Sequence, residues 1–115
     1  MTEDVNVLLI VLDSVRYDHM STNGYDRPTT PEITEFTQDA TRFENAFAAA
    51  PWTPPSHGAM FTGQYPSETG LVGGFSSITS ESTTMAEHFR KHGYETFAIS
   101  RRSWMLSSDF DHDRG

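Results

Sequence analysis

Two positions in this sequence join a reactive side chain to a setting that suits catalysis, Thr53 and Asp13. Thr53 lies between Trp52 and two prolines, with Ser56 and His57 following, and residues 56–62 are expected to form a short helix closed by Gly63. That places a hydroxyl just ahead of a helix start. Unpaired N–H groups and a partial positive charge there suit a phosphate or sulfate oxyanion and help to hold an alkoxide. A threonine hydroxyl attacks poorly unless a neighbour makes its proton easier to lose, which a divalent metal does, and Asp13 can hold one. Asp13 closes the apolar run 5–12 (VNVLLIVL), which reads as a strand buried on both faces of a parallel sheet. Ligands of open α/β sheets collect beyond such strand ends. The same residues also fit a blander reading, in which PWTPP is a surface turn with incidental hydroxyls and Asp13 only caps the next turn of chain.

The elements that must position these groups can be read from the pattern of the chain. Residues 21–30 have loop chemistry, and Thr30 followed by Pro31 is an N-cap with proline at the first helical position. Ile33, Phe36 and Ala40 continue that helix to about residue 40, and Phe43 and Phe47 suggest a strand over 42–48. After a Gly/Ser-rich loop at 70–82, residues 83–92 form a helix with Met85, Ala86 and Phe89 on one face and Gly93 as its cap. Residues 94–100 (YETFAIS) then read as a strand, completing half of a βαβ unit. The carboxyl end of that strand carries Arg101 and Arg102 towards the same edge as Asp13. The expected fold class is α/β with parallel strands and covering helices.

Composition narrows the partners. One hundred and fifteen residues make a single domain, and Leu, Ile, Val and Phe number 22, about 19%, which beside a net charge of -8 lies near the border of independent folding. The absence of cysteine removes thiolate ligands and leaves any metal to oxygen or imidazole. Of eight basic residues only Lys91 is lysine, so no basic stripe meets a nucleic acid or an anionic membrane. An acidic, lysine-poor surface is suited to high salt. The N-terminus has no positive region and the run 5–12 is too short to span a bilayer, so a cytoplasmic chain is expected.

The chain resembles the sulfatases of the alkaline phosphatase superfamily. The resemblance rests on VLLIVLDSVRYDHM, NGYDRPTTPEITEFTQDATRFENAFA, PWTPPSHGAMFTGQYPSETG and TTMAEHFRKHGYETFAIS, in order from about residue 5 to residue 100. The family motif is Cys or Ser, any residue, Pro-Ser-Arg, then a run ending in Thr-Gly and Tyr-Pro. This sequence has Thr53, Pro54, Pro55, Ser56 and His57, then Thr62, Gly63, Tyr65 and Pro66. The resemblance implies a partial parallel-sheet three-layer sandwich, with residues 1–115 an N-terminal fragment of the domain and a C-terminal portion missing. It implies a metal-dependent ester hydrolase with Asp13 and Thr53 at a divalent cation, calcium or magnesium before manganese or zinc.

Departures from the motif refine this. Sulfatases oxidise the motif Cys or Ser to formylglycine; threonine would give a ketone, so no formylglycine is expected and Thr53 must attack directly. The motif arginine is His57, of the paired first-strand acids only Asp13 matches while Ser14 stands at the second position, and the lysine segment after the later strand has a loose echo around Arg101 and Arg102. His57 and Arg101 or Arg102 are expected to neutralise developing charge on a sulfate or phosphate ester. The family's remaining metal ligands lie beyond position 115, which His112 and Asp113 do not replace. His88 and His92 stand four residues apart on a helix, a chelating spacing, but without an HExxH pattern they read as surface residues. Two alternatives remain: a phosphodiesterase or phosphotransferase using Thr53, and an inactive truncated product or binding module. The DNA immediately downstream would separate them.

Overall fold

Residues 5–73, 76–101 and 114–115 are described by the computed structural model, and the chain divides into two units, Met1–Ala46 and Phe47–Gly115. The expected α/β sandwich is not seen among the described residues. Among the described residues there are helices and turns and no strand, so the parallel sheet predicted from 5–12, 42–48 and 94–100 is corrected. The reason is that a strand's N–H and C=O groups point sideways and are satisfied by a neighbouring strand. Without such a ladder the apolar rows stay uncovered: Leu8 is 83% exposed, Phe47 90% and Ile99 100%. Apolar patterning specifies a surface that suits burial between layers, and the layers are not among these residues.

In the first unit, the chain leaves 5–12 through a tight turn at Asp13 and Ser14, with Ser14 at φ 63. Two 3-10 turns come next, Tyr17–His19 and Ser21–Asn23, the second closed by Gly24 at φ 92. Helix α1, Pro31–Phe36, begins as expected with proline in its first turn. Thr30 does not cap it through its side chain. Instead, Ser21 N–H donates to Thr30 Oγ1 at 3.0 Å and Thr30 N–H donates to Ser21 Oγ at 2.9 Å, tying the loop 21–30 into a closed ring. The helix stops four residues short of Ala40. Thr34 Oγ1 donates to Thr30 O and Thr37 Oγ1 to Thr34 O, side-chain bonds that compete with helix propagation.

The second unit is organised around α2 (Thr53–Thr62), α3 (Pro66–Thr69) and α4 (Met85–Lys91), with α2 packed against both others. Helix α2 starts three residues earlier than expected, because Pro54 and Pro55 fall in its first turn, where a missing N–H costs nothing. Gly63 closes it at φ 70, as the sequence predicts. Helix α3 was not expected; Pro66 opens it and Glu68 Oε2 accepts the Tyr65 N–H at 2.8 Å. Leu71 and Ile78 are the buried apolar side chains among the described residues, joined by Thr69 and Pro55. A Thr79 N–H bond to Thr69 O at 3.1 Å ties the loop carrying Ile78 back to α3.

Helix α4 is the best-founded element. Thr84 Oγ1 accepts the Glu87 N–H at 3.2 Å while Glu87 Oε2 accepts the Thr84 N–H at 2.8 Å, a reciprocal capping box. The Arg114 guanidinium pairs with Glu87 at 3.1 Å, and its backbone oxygen accepts from Thr84 Oγ1 at 2.7 Å. At the other end His92 and Gly93, with φ 88 at the glycine, terminate the helix, and Phe89 meets Tyr94 edge-on at 5.1 Å. Among the described residues, no helix is long and apolar enough to cross a membrane.

Candidate functional site

Thr53 is the first residue of α2, behind the extended N-cap residue Trp52. Its side chain is half-buried. The helix start that surrounds it is poorer in N–H donors than an ordinary one. Pro54 and Pro55 have none, and the Ser56 N–H donates to Trp52 O at 3.3 Å. The ten-residue helix keeps its dipole, and Thr53 is the residue at the positive end. His57 lies on the covered face of α2 with Pro54, Pro55 and Gly58; it is 7% exposed and its ring is 5.8 Å from Phe61 one turn on.

Asp13 belongs to the first unit and Thr53 to the second. Asp13 is exposed at the end of the apolar row, directly before the left-handed Ser14. A serine at φ 63 costs on the order of 1–2 kcal/mol relative to a right-handed conformation, and such positions gather at functional turns. Arg101 is exposed, while Arg102, His112 and Asp113 lie outside the described residues. Among the described residues no three carboxylate or imidazole side chains converge as a metal site. A hard cation takes about six to eight oxygens.

A profile of the sulfatase family matches residues 5–112. The chain belongs to the sulfatase family. An arylsulfatase of Clostridium perfringens is 31% identical over 97 residues, which is 84% of this chain and 20% of that protein. An ulvan-active sulfatase of Formosa agariphila is 27% identical over 99% of this chain and 23% of its own length. An N-acetylglucosamine-6-O-sulfatase of Bacteroides thetaiotaomicron is 26% identical over 96% of this chain and 20% of its own. The chain thus spans about a fifth of the length of the sulfatases it matches. No solved structure matches it.

A polar cluster that the sequence reading did not identify lies just after Asp13. Asp18 Oδ1 accepts from Arg16 Nε at 3.0 Å and lies 3.1 Å from His19 Nδ1, and Asp18 Oδ2 accepts from Arg16 Nη2 at 2.6 Å. The His19 ring rests 4.7 Å from Tyr25. The Arg16 hydrogen bonds, then that of His19, hold the Asp18 carboxyl well below the usual carboxylate range, and Asp18 in turn raises the Arg16 guanidinium. The signal available in the sequence was the alternation Arg16, Asp18, His19, which a 3-10 turn folds onto itself.

Proposed function

We propose that this chain is the nucleophile-bearing part of a sulfatase-type ester hydrolase in which Thr53 attacks directly. The observation that supports this most is the place of Thr53 at the positive end of α2, within the segment that resembles the family motif. In the proposed reaction Thr53 Oγ1 bonds to the sulfur of a sulfate ester as the ester S–O bond breaks. The Thr53 proton leaves with the departing alcohol, and water then releases sulfate and restores the hydroxyl. Charge building on the transferring group would be met by the α2 dipole, with His57 and Arg101 or Arg102 as further donors. Asp13 is proposed as one ligand of a divalent cation, calcium or magnesium first, whose other ligands come from outside the described residues.

A phosphodiesterase or phosphotransferase is the second reading, and threonine favours it. An unoxidised hydroxyl suits phosphoryl transfer as well as sulfuryl transfer, whereas formylglycine chemistry is closed to Thr53. The test is turnover of aryl sulfate and aryl phosphate esters by the natural polypeptide that carries this sequence, with intact-mass spectrometry on quenched reactions. Thr53→Ala should abolish turnover and the covalent adduct, and Thr53→Ser should retain both in part. Turnover that persists in Thr53→Ala rejects Thr53 as nucleophile, and the preferred ester separates the two readings.

A further inference from the structure

Outside the proposed active site, α4 carries two imidazoles on one side of its last turn. His88 and His92 are exposed and four residues apart, and their ring centroids lie 4.4 Å from one another at 45°. His92 Nδ1 is 2.8 Å from the His88 carbonyl oxygen. That oxygen can only accept, so Nδ1 of His92 must carry the proton. In the neutral ring Nε2 then holds the lone pair. This is the tautomer found in metal-binding histidines, whose other ring nitrogen donates to a carbonyl or carboxylate that fixes the ring. The backbone of α4 thus supplies the orienting acceptor, and the i, i+4 spacing supplies a second imidazole on the same side.

We propose that His88 and His92 form a bidentate site for a borderline transition-metal ion, nickel(II) or zinc(II), with water completing the coordination. Two imidazoles without carboxylate suit such ions over calcium or magnesium. The site is therefore chemically distinct from the cation proposed at Asp13. The C-terminal end of α4 adds a partial negative charge that favours a cation, against which stand the exposed charges of Arg90 and Lys91, screened by salt. Binding would cross-link the last turn of a helix that has no buried residue of its own.

The experiment is calorimetric titration of the natural polypeptide that carries this sequence with nickel(II) in excess magnesium, repeated for His88→Ala, His92→Gln and the control His19→Ala. Because the second imidazole closes an intramolecular chelate, each α4 variant should bind about tenfold more weakly than the unaltered chain, with His19→Ala unchanged. A zinc(II) titration followed by NMR should move the ring signals of His88 and His92 together. A loss below about threefold in both α4 variants, or ring signals that respond one without the other, overturns the site.

Discussion

Thr84 is the residue whose removal is easiest to convert into a measurable number. Its side-chain oxygen accepts the Glu87 N–H at 3.2 Å and donates to Arg114 O at 2.7 Å, and the residue is 2% exposed. Replacing an N-cap threonine by alanine costs about 1 kcal/mol. The second bond adds about another 1 kcal/mol at most, since both pass through one oxygen and share its loss. Thr84→Ala should therefore cost the start of α4 about 1–2 kcal/mol. With about 1.4 kcal/mol per factor of ten, local opening becomes on the order of ten times more frequent. Hydrogen exchange reads this directly at the His88 amide, whose N–H donates to Thr84 O at 2.9 Å and closes the first turn of the helix. Exchange there should accelerate about tenfold, and Thr84→Ser, which keeps the oxygen, should recover most of the protection. An unchanged His88 exchange rate in Thr84→Ala would refute the view that this hydroxyl holds the helix start.

Asp13→Ala should weaken divalent-cation binding by the natural polypeptide far more than Asp18→Ala, because both oxygens of Asp18 are already engaged by Arg16 and His19; equal calorimetric affinities would remove Asp13 from the site. The Asp18 carboxyl is depressed in the folded chain, so its contribution is present above the ordinary aspartate value of about 4 and is lost only as pH falls through the lower folded value. Carbon-detected NMR titration should show an Asp18 midpoint below 4 that rises towards 4 in Arg16→Ala, where the His19 hydrogen bond remains; an ordinary midpoint in the unaltered chain would contradict the geometry. The 115 residues alone should lack a cooperative melt at low salt and gain order in molar salt, which screens a charge of -8 and strengthens apolar burial. Circular dichroism across that range checks it, and a cooperative low-salt melt would disprove it.

What could be read in the sequence was the local chemistry. Pro31 opens α1, and Gly63 and Gly93 stand just past the ends of α2 and α4, each a property of a few neighbouring residues, whereas the Thr84 and Glu87 capping box was not read and α4 begins two residues later than expected. Misplaced boundaries have local causes as well. Pro54 and Pro55 read as breakers although the first turn accepts them, and Thr34 and Thr37 shorten α1 through side-chain bonds that apolar spacing does not register. The strands fail for a different reason. Apolar content in 5–12 and 94–100 describes what those residues need as neighbours, and a ladder depends on partners far along a chain. That Thr53 stands beside a helix start was legible, although the sequence reading put it three residues ahead of the helix and the structure puts it in the first turn. The left-handed Ser14 was not, because nothing in its side chain requires φ 63.

The uncovered row 5–12 has a consequence for how the chain behaves in company. It is free of charge and of proline, rich in valine, leucine and isoleucine, and exposed along most of its length, with Ile10 at 71%. That is the composition of a segment that stacks with identical copies into cross-β layers, each copy supplying the ladder its neighbour lacks. Asp13 stands at the border of this row and acts as a gatekeeper, since in-register stacking would place one carboxylate above another at a spacing of about 4.8 Å. Glu3 and Asp4 border the row at its other end, so like charge at both borders opposes in-register growth of identical copies.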